Sequence, residues 1–266
     1  MEILGYILAV LVGISLGLIG SGGSILTVPI LVYIMGVEPV IATAYSLFIV
    51  GATALVGGVQ NAMKKNVDFK TVLIFGVPSI AAVYATRMWM VPLIPKEILT
   101  LGSFVLTKSI ALMLLFAVVM LFAAVSMIRT KKQRNGNENS VMTYNYPMIL
   151  LEGTVVGVLT GLVGAGGGFL IIPALVLLAR MPMKLAVGTS LFVIAAKSLI
   201  GFLGDLQGDQ QIDWSLLFGF TLAAIAGIFL GIFLSKKIEG EKLKKAFGWF
   251  VLIMGIYIIT KELFFS

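Results

Sequence analysis

The chain has 266 residues, of which 59% are hydrophobic and only 12% are charged, and its mean hydropathy is +1.09. Because globular proteins carry about 25% charged residues, this composition excludes a water-soluble fold and predicts an all-α integral membrane protein embedded in the lipid bilayer. The absence of Cys and His excludes disulfides, thiol catalysis and the usual histidine bases and ligands, so we expect no enzyme, cofactor or metal site. The net charge of +7 fits lysine-rich cytoplasmic loops, and nucleic acid is not expected as a partner.

Eight apolar runs follow one another along the chain, separated by short polar breaks. In chain order they span residues 3–35, 39–60, 69–90, 107–128, 147–179, 183–204, 214–235 and 246–260. A helix needs about 20 apolar residues to cross the hydrocarbon of a bilayer. Six runs have about this length, the last of them somewhat short, whereas 3–35 and 147–179 are too long for one crossing and are interrupted by glycine.

The two overlong runs resemble each other. Segment 17–24 (GLIGSGGS) aligns without a gap to segment 161–168 (GLVGAGGG), and the same offset of 144 residues aligns Pro29 with Pro173. This duplication predicts two repeats, 1–128 and 147–266. A polar linker at 129–146, expected in the cytoplasm, joins them. Internal repeats of this kind are typical of transporters.

The distribution of basic residues indicates how the repeats are oriented. If each overlong run crossed the membrane once, eight Lys and Arg would lie inside and ten outside, against the positive-inside rule. If each is a re-entrant hairpin, fourteen of the 19 lie inside, Lys197 lies within a span, and the outer side holds only Arg87, Lys96, Lys108 and Lys261. This predicts two inverted-topology repeats, each a broken re-entrant helical hairpin plus three transmembrane helices, with both termini outside.

The glycine breaks are candidate binding elements. Glycine permits positive φ and a tight reversal, and the helix that follows starts with N–H groups that lack intrahelical partners and carry partial positive charge. If the repeats are inverted, the two breaks approach each other near the midplane, where they could hold a small anion. The alternative is that these glycines only let helices pack closely. The candidate residues are Ser21, Gly22, Gly23, Ser24, Ala165, Gly166, Gly167 and Gly168.

Lys197 lies well inside the run 183–204, where a lysine costs about 2.5–3.5 kcal/mol on insertion scales. Its counterpart in the first repeat is Thr53, so only one half carries this cation. No acidic residue lies deep in a span to pair with it. We therefore expect Lys197 to bind the anion. The alternative is that its side chain snorkels to the membrane interface.

Hydroxyl groups lie close to this lysine in the sequence. Ser46 aligns with Ser190, and both Thr189 and Ser190 lie about two helical turns before Lys197. Hydroxyls can donate hydrogen bonds to an oxyanion, so Ser46, Thr189 and Ser190 are candidate ligands. Each can equally hydrogen-bond a carbonyl of its own helix. Arg87 and Trp89, near the end of the run 69–90, are interpreted as an interfacial anchor.

The paired glycine motifs resemble those of the TauE/SafE sulfite exporter family. The likeness rests on Gly20, Gly22, Gly23, Ser24 and Pro29 in one copy and on Gly164, Gly166, Gly167, Gly168, Pro173, Thr189 and Ser190 in the other. The resemblance implies a permease of the bacterial inner membrane whose substrate is sulfite, sulfoacetate or another small organosulfur or carboxylate anion. Family members are proposed both to export and to import.

The sequence thus predicts a secondary transporter that holds a small sulfur-containing anion between the two breaks. Two alternatives stay open, an uncoupled anion channel and a permease for a carboxylate without sulfur.

Overall fold

The computed structural model describes residues 2–20, 22–101, 104–129, 146–164, 166–177, 181–206, 212–234 and 240–264. The first half contains α1 (Glu2–Ile19), a 3₁₀ segment (Gly22–Leu26), α2 (Thr27–Pro29), a π segment (Ile30–Ile34), α3 (Pro39–Met63), α4 (Phe69–Ala85), a second π segment (Thr86–Met90), α5 (Val91–Leu93), β1 (Glu97–Leu101), β2 (Phe104–Thr107) and α6 (Lys108–Arg129). The second half contains α7 (Tyr146–Val163), α8 (Gly168–Leu177), α9 (Met183–Asp205), α10 (Trp214–Leu234) and α11 (Gly240–Phe264).

Five described helical segments are long and apolar enough to cross a membrane, namely Pro39–Met63, Phe69–Leu93, Lys108–Val125, Leu185–Asp205 and Trp214–Leu234. Shorter apolar helices cover Ile3–Leu18, Gly23–Ile34 and Pro147–Val163, the arms of the predicted hairpins. The expected crossing at 246–260 lies within α11, which is not among the five. The chain is therefore a helical, multi-pass membrane protein.

Both overlong runs are broken at glycine, as the sequence predicts. In the first, α1 ends at Ile19 and the chain resumes a helical course at Gly22. In the second, α7 ends at Val163 and α8 begins at Gly168. The aligned residues Gly20 and Gly164 both have positive φ, +86° and +73°, a conformation that only glycine adopts at low cost.

The first long run folds back on itself. A Cβ added to Gly5, near the start of α1, would collide with Met35, just beyond the end of the return arm (22–34). At the other end, a Cβ on Gly23 would lie 2.8 Å from the backbone nitrogen of Leu16 in α1. The two arms are therefore antiparallel and joined at the glycine break.

Helices α3 and α9 occupy the centre of the molecule. They are equivalent in the two repeats and are the most buried of the spanning helices, 72% and 67% against 33–44% for the others. Gly51 of α3 lets them approach, because a Cβ there would lie 2.9 Å from Leu199 Cγ of α9. Both helices begin next to a proline, Pro39 in α3 and Pro182 before α9. Glu38 caps α3 by accepting hydrogen bonds of 3.1 Å from the N–H groups of Val40 and Ile41.

The remaining helices pair reciprocally between the halves. Helix α1 packs on α10, and its equivalent α7 packs on α4, which is the equivalent of α10. The contacts match residue by residue, since Gly13 meets Ala224 while Gly157 meets Ser79. Such an exchange is what a twofold relation between the repeats produces. Their inverted orientation in the bilayer, both termini outside and the division at 129–146 stay predictions, and residues 130–145 lie outside the described part of the chain.

One short segment departs from the all-α expectation. Strands β1 and β2 form an antiparallel hairpin between the spanning segments Phe69–Leu93 and Lys108–Val125, with Leu101 opposite Phe104. Leu, Val, Ile, Thr and Phe fill most of both strands, and β-branched and aromatic residues favour extended backbone. The hairpin lies directly before α6, which begins at Lys108.

Candidate functional site

The two glycine breaks meet inside the protein. A Cβ added to Gly166 would lie 3.5 Å from the Cβ of Ser24, and it would also contact Val50 and Ile194. Val50 and Ile194 are equivalent residues of α3 and α9, so Gly166 lies where the central helices and both breaks converge. No side chain larger than hydrogen fits there without displacing these neighbours.

The neighbouring turns also interlock reciprocally. A Cβ on Gly20 would collide with Val187, and a Cβ on the aligned Gly164 would collide with Thr43, the residue aligned with Val187. Each glycine reversal therefore packs against the first part of the other repeat's central helix. The breaks are held by this contact between halves.

The side-chain ammonium group of Lys197 lies at the second break. Its side chain is 0% exposed, and its Nζ donates a 3.0 Å hydrogen bond to Thr160 Oγ1 of α7. A Cβ on Gly167 would lie 2.7 Å from this Nζ. Among the described residues no acid lies within 4.0 Å of the Lys197 ammonium group. This ammonium group is therefore buried against the start of α8 and is not exposed at the protein surface.

At the first break, the described residues include no buried cation. Gly23, aligned with Gly167, packs directly on the backbone of α1, where a Cβ would collide with Ser15 Oγ and lie 2.8 Å from Leu16 N. Thr53, aligned with Lys197, donates a 2.6 Å hydrogen bond to Ile49 O of its own helix. The first break is closed by main-chain packing, whereas the second adjoins a buried cation.

Thr160 is a site residue that sequence reasoning missed. It lies one helical turn before Gly164 and is 2% exposed. The alignment of the two repeats could have identified Thr160, because a polar residue stands there where the first half has Leu16. Thr160 and Lys197 are thus two positions where the second repeat is more polar than the first, and the fold brings them together.

The predicted hydroxyl ligands separate into different environments. Thr189 Oγ1 accepts a 2.9 Å hydrogen bond from the N–H of Asp68, and Tyr45 OH, its equivalent, accepts one from the N–H of Asp213. Ser190 Oγ donates to Val187 O of its own helix at 2.8 Å. Ser46 Oγ is buried with no hydrogen-bond partner among the described residues, as is Ser198 Oγ, next to the lysine in the chain. Thr189 and Ser190 therefore have structural hydrogen bonds.

The interpretation of Arg87 as an interfacial anchor is wrong. Arg87 is 1% exposed, and its Nη1 lies 3.0 Å from Thr43 Oγ1 and 3.4 Å from Asp205 Oδ1, whereas Trp89 is 58% exposed. Asp205 lies just beyond the apolar run 183–204, but it is the last residue of α9 and pairs with the guanidinium. Arg87 lies in the π segment Thr86–Met90, a widened turn of the kind that often occurs at functional sites.

Two further candidates, Ser21 and Ala165, lie outside the described residues. Within the part of the chain that the structure describes, no group of three or more acidic residues could hold a metal ion.

A sequence model of the family described as sulfite exporter TauE/SafE matches residues 5–258. The chain belongs to the TauE/SafE family. This membership makes it a membrane transporter, in keeping with its multi-pass helical fold. This TauE/SafE protein resembles a probable membrane transporter protein of Xylella fastidiosa, with 32% identity over 95% of the chain and 92% of the relative.

Two other relatives extend the match over nearly the whole chain. The probable membrane transporter protein YunE of Bacillus subtilis is 27% identical over 97% of this chain and 99% of the relative. A probable membrane transporter protein of Haemophilus influenzae is 25% identical over 94% and 95%. No solved structure matches the chain.

Proposed function

We propose that this protein is a secondary transporter that moves a small sulfur-containing anion, such as sulfite or an organosulfonate, across the bacterial inner membrane. The anion is held beside the second glycine break by Lys197, between the two repeats. One observation carries this proposal, namely that the Nζ of Lys197 is fully buried and has no acidic partner among the described residues.

A buried cation of this kind calls for a counter-charge. Lysine within a span is costly and is found where it faces a partner, a cavity or a transported ion. Thr160 supplies one neutral hydrogen bond, which leaves the positive charge uncompensated. A mobile anion would supply the compensation and would be released when the site opens.

The glycines at the second break favour an anion over a cation. Gly167 accepts the first hydrogen bonds of α8, from the N–H groups of Leu170 at 3.1 Å and Ile171 at 3.2 Å, so the positive end of the helix dipole lies at this residue. Both the dipole and the ammonium group of Lys197 attract negative charge to the same place. The absent side chain at Gly167 is what leaves room for the lysine.

The repeat architecture supports an alternating-access cycle. The two breaks belong to different repeats and meet at Gly166 and Ser24, close to the central helices. In transporters built from inverted repeats, rocking of one repeat against the other exposes such a site to each side in turn. We propose the same motion here, with the termini outside and the basic loops in the cytoplasm.

The family description names sulfite, which supports sulfite as the first substrate to test, with organosulfonates beside it. Purified protein in liposomes should take up labelled sulfite with saturable kinetics. Lys197→Ala should reduce uptake at least tenfold, as expected on losing a charge-assisted hydrogen bond of about 1.5–3 kcal/mol. Thr53→Val, at the aligned position of the first repeat, is the matched control and should retain uptake.

The same liposomes separate the alternatives. Non-saturating flux faster than about 10⁴ ions per second would identify a channel in place of a carrier, because carriers turn over near typical enzyme rates. Uptake of a small carboxylate with no response to sulfite or sulfonates would identify a carboxylate permease. Full uptake in Lys197→Ala would remove the lysine from the proposed site.

A further inference from the structure

We propose that Arg87, which is linked through Thr43 to Gly164 of the second glycine turn (164–167), forms a second oxyanion position and binds through the Nε and Nη2 edge of its guanidinium. This inference rests on the proposed function, because it concerns the path of the same anion. Its ligand is an anion with two oxygens on one atom, as in sulfite, a sulfonate or a carboxylate.

The guanidinium of Arg87 is buried, but only one of its three nitrogens makes hydrogen bonds to the described residues. Nη1 donates to Thr43 Oγ1 at 3.0 Å and to Asp205 Oδ1 at 3.4 Å. Nε and Nη2 are both buried and have no hydrogen-bond partner among the described residues. Buried polar groups are nearly always hydrogen-bonded, so two orphaned donors on one fully buried side chain indicate a missing acceptor.

The two orphaned nitrogens lie on the same edge of the planar group. Their N–H bonds are parallel and match two oxygens of one carboxylate, sulfite or sulfonate in a bidentate pair. A single-atom anion such as chloride cannot use both donors equally well. The geometry therefore selects oxyanions.

The contact with Asp205 differs from that of an arginine used only for a structural ion pair. Such pairs are frequently bidentate, with two nitrogens on two oxygens. Here one nitrogen contacts one oxygen, and Asp205 Oδ2 is buried without a partner in the described part of the chain. Asp205 thus holds and neutralises Arg87 from the Nη1 side and leaves the other edge available.

Arg87 and Lys197 are both linked to the same turn, Arg87 through Thr43 and Lys197 directly. Thr43, which accepts from Arg87, packs against Gly164, and Lys197 packs against Gly167. Gly164 and Gly167 are three residues apart, and three residues of extended chain span at most about 11 Å, so Thr43 and Lys197 contact the same short main-chain segment. An anion that leaves Lys197 could pass to Arg87 across this turn.

The test measures sulfite binding to purified full-length protein from the rise in melting temperature with sulfite concentration. Arg87→Lys keeps the positive charge but removes the two parallel N–H donors of the guanidinium. We therefore expect the apparent Kd for sulfite to rise about 10- to 100-fold, the equivalent of one charge-assisted hydrogen bond. The Kd for chloride should change less than that for sulfite, because a single-atom anion gains less than a two-oxygen anion from two parallel donors. Arg129→Lys, the same exchange at an exposed helix end, is the control.

Asp205→Asn gives the opposite expectation and serves if Arg87→Lys does not fold. Asp205→Asn retains the two parallel N–H donors of Arg87 and removes the carboxylate that competes for the guanidinium, so sulfite should bind several-fold more tightly. An unchanged Kd for sulfite in Arg87→Lys would overturn the second position. If only Asp205→Asn folds, an unchanged Kd in that variant would overturn it. In either case, sulfite binding by the wild-type protein would still support the Lys197 site. Absence of any sulfite effect on the wild-type protein would overturn the proposed function and this inference together.

Discussion

Gly166 packs against Ser24, at a distance of 3.5 Å between the Ser24 Cβ and a Cβ added to the glycine. These residues belong to the glycine motifs of different repeats, so the two motifs touch here through nearly bare main chain. A transporter that rocks its repeats must loosen or shift this contact. We therefore expect the glycines on either side of it to be highly sensitive to substitution.

Gly167→Ala should both destabilise the protein and abolish anion binding. The residue has a φ of +60°, which costs about 1–3 kcal/mol for a residue other than glycine, and the new methyl group would lie 2.7 Å from Lys197 Nζ. Thermal unfolding and sulfite uptake check both effects. Gly76→Ala is the control, since a Cβ there meets nothing within 4 Å and the helix should gain about 0.5–1 kcal/mol. Equal behaviour of the two variants would contradict the tight packing at Gly167.

Lys197→Met should raise the melting temperature in the absence of anion and remove the rise that sulfite produces. Replacing an unpaired buried cation by an apolar side chain of similar length relieves its desolvation, worth about 2.5–3.5 kcal/mol on insertion scales. Lys64→Met, at an exposed lysine, should change neither quantity. A lower melting temperature for Lys197→Met, with the sulfite response intact, would show that the lysine is a structural element only.

Thr189→Val should lower stability without altering the affinity for sulfite. The hydroxyl accepts a hydrogen bond from the N–H of Asp68 at the start of α4, and because this donor is partly buried we expect a cost of at most about 1–3 kcal/mol. Ser190→Ala removes a bond within one helix turn and should cost less. Thermal unfolding and sulfite titration of both variants separate these roles. A large change in Kd with Thr189→Val would return that residue to the binding site.

Cysteine labelling tests the inverted topology, and the chain has no native cysteine to interfere. Lys70→Cys and Ser215→Cys occupy equivalent exposed positions at the starts of α4 and α10. In intact cells a membrane-impermeant thiol reagent should label position 215 and spare position 70 until the membrane is opened. Labelling of both positions from one side would mean that the repeats are parallel.

The sequence by itself determined the class of the protein and the places where its helices break. Composition requires a bilayer as solvent, and Gly20 and Gly164 adopt the positive φ that the repeated motif predicts. These features are local, because they depend on residue type and spacing along the chain. The duplication also identified equivalent positions, which match the reciprocal contacts of Gly13 and Gly157.

Only the tertiary structure decided which break adjoins a buried charge and what the polar side chains contact. The lysine and its partner Thr160 lie on different helices, and so do Arg87 and Asp205. Sequence periodicity gives the position of a side chain on its own helix but not which helix packs against that face, so Thr160 was missed and Arg87 was assigned to the interface. Burial and charge pairing are properties of that packing, and they emerge only when α4, α7 and α9 come together.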